Sequence, residues 1–123
     1  MYSKEETIRR IMELVNRVDS GDILWSTKLG TVQSYCHTLN RYIHYTINLL
    51  EVASGLEEPT DRSTDKDTPI RVCQSWEKLA ELLNAADLER MNPSRLSNIL
   101  QSLRMVVGMI DVVADTYGGP HWD

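Results

Sequence analysis

The side chains with most to offer chemically are three histidines, His37, His44 and His121, and two cysteines, Cys36 and Cys73. His37 and His44 stand seven residues apart, about 10 Å along a helix, too far to share an ion without ligands from another element. Metal sites inside helical bundles draw on Glu residues and Glu-x-x-His motifs, and no Glu precedes any of these histidines by three positions. Glu77 and Glu81 share a helix face but form a single pair. The spacing of Asp61, Asp65 and Asp67 approaches that of a calcium loop, yet its sixth position is Lys66 where Gly is needed and its twelfth is Val72 where Glu is needed. Cys36 and His37 are neighbours in sequence, but successive residues on a helix point about 100° apart, so they do not make a nucleophile and base. Both cysteines fall on apolar stripes, the pattern of buried, unreactive thiols. There is no Gly-x-Ser-x-Gly elbow and no phosphate-cradling glycine loop. The expectation is a non-enzymatic protein with no catalytic residue, no metal and no cofactor.

One short segment carries a different possibility. His37-Thr38-Leu39-Asn40-Arg41 resembles the His-x-Leu-Lys-Gly pattern of histidine phosphotransfer domains, acidic four-helix bundles of about this length. The His and Leu match. Asn40 replaces the Lys that assists the phosphate, and Arg41 replaces the Gly that keeps the histidine accessible. The resemblance implies His37 as a phosphoryl acceptor and an acidic receiver domain as its partner.

The elements that must position these residues are helical. Ser3 and Glu6 form a capping box for a first helix near 4–18, with Ile8, Ile11, Val15 and Val18 as its apolar stripe. Glu5–Arg9, Glu6–Arg10 and Glu13–Arg17 are pairs four residues apart that neutralise its outer face. Asp19–Asp22 reads as a turn, with Trp25 expected to fold onto the bundle. Ser26 or Thr27 then caps a long second helix near 27–53, about 40 Å in length. Its stripe is Leu29, Val32, Cys36, Leu39, Ile43, Ile47 and Leu50; His37, Arg41, His44, Asn48 and Glu51 occupy the polar side. Gly55 ends it. Residues 56–67 hold five acids and two bases and read as a mobile polar loop. Thr68-Pro69 opens a third helix near 69–85, striped by Val72, Cys73, Trp76, Leu79, Ala80 and Leu83. Asn92-Pro93 opens a fourth over 93–117, and Gly118-Gly119-Pro120 closes it.

The pattern is therefore all-α: a single-domain four-helix bundle over 1–117, uneven in helix length, with a long acidic loop between helices two and three and a tail at 118–123. The chain has 123 residues, a formal charge of −5 and no Phe. An acidic chain lacks the basic surface that general nucleic-acid binding needs; a local patch of Arg90, Arg95 and Arg104 is the alternative through which a nucleoprotein subunit would work. The N-terminus lacks an apolar signal core and no apolar run nears 18 residues, so the expectation is a cytoplasmic protein without a membrane span.

The fourth helix is apolar nearly all round. Leu96, Ile99, Leu103, Val106, Ile110, Val113 and Tyr117 form one face; Leu100, Val107 and Ala114 widen it, and Met105, Met109 and Val112 lie on the flank. A helix of that kind is central or interfacial. The expectation is a protein-binding module, such as an adaptor, a small assembly subunit, or an inhibitor carried by a phage or mobile element. Its contact residues would be Met105, Met109, Val112, the Tyr35/Tyr42 strip and Trp122 of the tail, with a homodimer formed through helix four.

Overall fold

A computed structural model describes residues 2–29, 33–55 and 67–117. Five α-helices follow in order: α1 (Lys4–Arg17), α2 (Ser20–Leu29), α3 (Gln33–Ala53), α4 (Pro69–Ala85) and α5 (Pro93–Tyr117), with one 3-10 turn at Leu88–Arg90 before α5. No strand occurs among the described residues, and the fold is all-α. The tail with Trp122 and His121, and the loop over 56–66, lie outside the described residues.

The helix starts follow cap chemistry. Ser3 Oγ accepts the Glu6 N–H at 3.1 Å, Thr68 Oγ1 accepts that of Arg71 at 3.2 Å, and Asn92 Oδ1 accepts that of Ser94 at 2.8 Å. Each satisfies a donor that the first helical turn leaves without a backbone partner. Past the end of α3, Gly55 takes a φ of 96°, a left-handed value that suits glycine.

Two expectations change between residues 17 and 33. The Asp19–Asp22 cluster starts a helix instead of making a turn. Asp19 Oδ1 accepts the Asp22 N–H and Asp22 Oδ2 accepts the Asp19 N–H, both at 2.9 Å, the reciprocal bonding of a capping box with Asp in both roles. Ser26 and Thr27 consequently lie inside α2, both buried, and Thr27 Oγ1 donates back to the Ile23 carbonyl at 2.8 Å. The helix expected over 27–53 is thus divided between the end of α2 and the 21 residues of α3, which span about 32 Å.

The core has a clear centre. α5 packs on α1, α2 and α3, while α4 closes the bundle against α2 and α3. Leu96, Ile99, Leu103, Val106 and Ile110 of α5 meet Ile11 and Val15 of α1, Ile23 of α2, and Leu39, Ile43 and Ile47 of α3 in one buried cluster. Val72, Trp76, Leu79 and Leu83 complete it from α4. Trp25 is half-buried, and Tyr117, expected on the inner face of the last helix, is exposed. By length and composition alone α5 is able to cross a membrane, with a mean hydropathy of 1.3 over 18 residues, contrary to the expectation that no run approaches that length. Half of that stretch is buried within the bundle, and Arg95, Arg104, Asp111 and Asp115 punctuate the helix. It serves here as the core helix.

The outer charges of α1 pair differently from expectation. Arg10 bonds Glu6 at 2.9 Å as its spacing implies, but Arg9 is held by both Glu6 and Glu13. Arg17 reaches across to Asp111 of α5 at 3.0 Å.

Trp76 is the large aromatic of this core, and its Nε1–H donates to the Val18 carbonyl at 3.2 Å, tying α4 to the α1–α2 junction. Trp76→Phe removes that donor and leaves a buried carbonyl without it. The expected loss is about 1–3 kcal/mol of unfolding free energy in urea titration, with helicity by circular dichroism unchanged.

Candidate functional site

Two groupings of side chains emerge, one between α3 and α4 and one on the outside of α3 and α5.

The first is a polar seam that the helical pattern alone does not reveal. Asp67, expected at the end of a solvated loop, is completely buried, and its Oδ2 stands 3.3 Å from His37 Nδ1. The cap at Thr68 starts α4 against α3, which draws the preceding residue inward. His44, expected on the polar side of its helix, is buried, with Nε2 3.1 Å from Ser75 Oγ. Asn40 is buried between these two histidines along α3. Its Oδ1 has no hydrogen-bond partner among the described residues, as is also true of Asn48 Oδ1. α3 covers both α4 and α5, so it buries more than its apolar stripe, and polar residues are carried inside with it.

This seam bears directly on the chemistry considered for His37. The side chain is 25% exposed. A phosphoryl group at Nδ1 would meet the Asp67 carboxylate, and like charges at that distance repel. The two thiols are pushed up from their ordinary value. For Cys36 the cause is burial, then the Asp67 charge; for Cys73 it is burial, then a hydrogen bond to Glu77. Cys36 Sγ points to the Thr27 carbonyl at 3.7 Å and Cys73 Sγ to the Ser20 carbonyl at 3.4 Å. Neither geometry makes a thiolate. Among the described residues no group of three His, Cys, Asp or Glu stands together as a metal cage.

The second grouping is apolar and faces outward. Met105 is 50% exposed and Val112 65%, seven residues apart on one face of α5. Met109 lies between them, half-buried against the core. Tyr42 and Met105 line one groove of about 370 Å³ with Thr38, Arg41 and Tyr45. Tyr45 is 57% exposed. It also borders a second groove of about 300 Å³ with Leu49, Val52 and Arg95. The antiparallel pairing of α3 and α5 makes this strip, and the buried hydroxyl pair of Thr46 and Ser102, at 2.5 Å, fixes its register. Tyr45 lies off the seven-residue line of Tyr35 and Tyr42, so spacing alone does not single it out.

Tyr35 is half-buried. Its hydroxyl pairs with Ser26 of α2 and donates toward the Met109 carbonyl at 3.4 Å. Burial pushes its phenol up. Its hydroxyl ties α2, α3 and α5 together.

The three arginines considered as a basic patch are not brought together. Arg90 pairs with Asp87 at 3.1 Å. Arg95 borders the α3 side of α5, whereas Arg104 stands on the α1 side. Nine residues on a helix separate them by about half a turn.

The raised thiols and their unequal burial set an order of reaction. Iodoacetamide near pH 8 should modify the half-buried Cys73 before the buried Cys36, and both more slowly than in urea-unfolded chain, as followed by intact mass. Faster labelling of Cys36 in the native protein would contradict this packing. Comparison of the chain with protein-family models, curated proteins and solved structures gives no match.

Proposed function

We propose that this protein is a non-catalytic interaction module, and that its binding surface is the outer strip of α3 and α5 formed by Tyr42, Tyr45, Met105, Met109 and Val112. The observation that carries the reading is the exposure of Met105 and Val112 on α5, a helix whose mean hydropathy reaches 1.3 over 18 residues. That helix packs against α1, α2 and α3, and α4 lies against α2, α3 and α1, so the face with Met105 and Val112 is left exposed by the described helices. Burying such side chains at an interface is worth roughly 1.5–3 kcal/mol each before the costs of association.

The occupant that fits this strip most simply is the same strip of a second copy. A two-fold contact needs a self-complementary surface. An antiparallel crossing of two α5 helices centred near Gly108 sets Met105 of one copy against Val112 of the other. Gly108 is exposed, and a Cβ built there meets nothing within 4 Å among the described residues. Packing among the described residues therefore gives no reason for glycine, which in mid-helix costs about 1 kcal/mol relative to Ala. At a helix crossing it lets two backbones approach closely.

Sedimentation velocity at roughly 50 μM protein, a concentration well above a micromolar Kd, should give a particle of twice the 14.1 kDa chain mass. Met105→Asp/Val112→Asp should return it to a monomer with unchanged helicity. Gly108→Ala should stabilise the isolated fold by about 0.5–1 kcal/mol, while Gly108→Leu should weaken self-association. A wild-type chain that stays monomeric throughout would overturn the dimer.

A further inference from the structure

On its other flank α5 faces α1 across a groove of about 760 Å³, within the range of small-molecule sites. Among the described residues its lining contains Lys4 and Arg104 and no acidic side chain, in a chain whose formal charge is −5. Ser94, Ser97, Gln101 and Arg104 project into it at successive helical turns. Thr7 and Leu100, both buried, form its floor.

The two cations are held in place without being neutralised. Lys4 Nζ donates to the Glu89 carbonyl, and Arg104 Nη2 donates to the Tyr2 hydroxyl at 3.2 Å. Neither pairs with a carboxylate among the described residues. An ammonium has three donors and a guanidinium five, so each keeps donors for a ligand. The Tyr2 ring lies beside two cations, with Arg10 at 4.2 Å and Arg104 at 5.6 Å from its centroid. The Arg104 hydrogen bond, then the charges of Arg10 and Arg104, pull the Tyr2 phenol below its usual value, against smaller opposing effects of desolvation and Glu6. The Glu6 carboxylate is itself taken by Arg9 and Arg10. The Ser94 N–H at the start of α5 is already spent on Asn92, so recognition here would rest on side chains.

We propose that the α1/α5 groove binds a small organic anion, its phosphate or carboxylate on the Arg104 guanidinium and its body along the serine and glutamine side chains toward Lys4. Arg suits this task because its planar fork matches both oxyanions. The groove is open, so salt should compete with the ligand.

Titration of isotope-labelled protein, followed by amide chemical shifts, tests this with phenyl phosphate, benzoate, inorganic phosphate and phenol. Phenyl phosphate or benzoate should shift the Ser97, Gln101 and Arg104 amides with a Kd of about 1 mM, and the stronger of the two identifies the headgroup. Inorganic phosphate should bind more weakly, for lack of a body. Arg104→Gln, at an exposed position, should weaken binding about tenfold, and Lys4→Gln by less. Equal shifts from phenol, an unchanged Kd in Arg104→Gln, or no shift with either organic anion at roughly 10 mM would overturn the proposal.

Discussion

The fold depends on keeping α5 dry along one side. Leu96, Ile99, Leu103, Val106 and Ile110 are nearly inaccessible, and each would forfeit about 1.5–3 kcal/mol if left in water. No single helix is broad enough to cover such a stripe. α1, α2 and α3 each take a part of it, and α4 in turn packs on α2, α3 and α1. The chain has no Phe, so branched aliphatic side chains fill most of this interior. Trp76 supplies the bulk where α4 approaches the α1–α2 junction, and its hydrogen bond to Val18 fixes how that helix docks.

The polar groups inside follow from the same geometry. A helix that touches two others must bury two faces, and α3 touches both α4 and α5. One face is its aliphatic stripe. On the α4 side of that stripe Asn40 and His44 are carried into the interior, and on the α5 side Thr46. Each hydroxyl or imidazole buried this way is costly unless paired. Thr46 meets Ser102, His44 meets Ser75 and His37 meets Asp67. These contacts specify the register of α3 against its neighbours more sharply than aliphatic packing, which tolerates sliding.

Where local chemistry decides, the sequence is legible. The caps at Ser3, Thr68 and Asn92 and the stop at Gly55 stand where hydrogen-bonding and backbone rules place them. The stripes of α1, α4 and α5 are buried nearly as their spacing implies. α2 is opaque for a physical reason: its inner face is Asp22, Ile23, Ser26 and Thr27, so no apolar period of 3.6 exists to be seen. Its one signal is the Asp19–Asp22 pair, which reads equally well as a turn until the reciprocal bonds are visible. Asp67 is opaque because its burial depends on α3, thirty residues earlier in the chain. Met105, Met109 and Val112 are legible as spare apolar residues on α5, whereas Tyr45 joins them only once α3 and α5 are paired. Tyr35 has the composition of an interface residue and the hydrogen bonds of a core one.

The two surfaces proposed for binding lie on different flanks of α5, and this separation follows from the helix itself. Met105 and Val112 share a face by their seven-residue spacing, while Arg104 stands about 100° away from Met105 and turns toward α1. An apolar contact on the first flank excludes water from the α3 side of the helix. It leaves the cationic side open to solvent, where a charged ligand has to arrive. A helix that were apolar all round would have to be sealed on every side. Arg104, Asp111 and Asp115 prevent that, confining the apolar face to a strip that one partner helix is wide enough to cover.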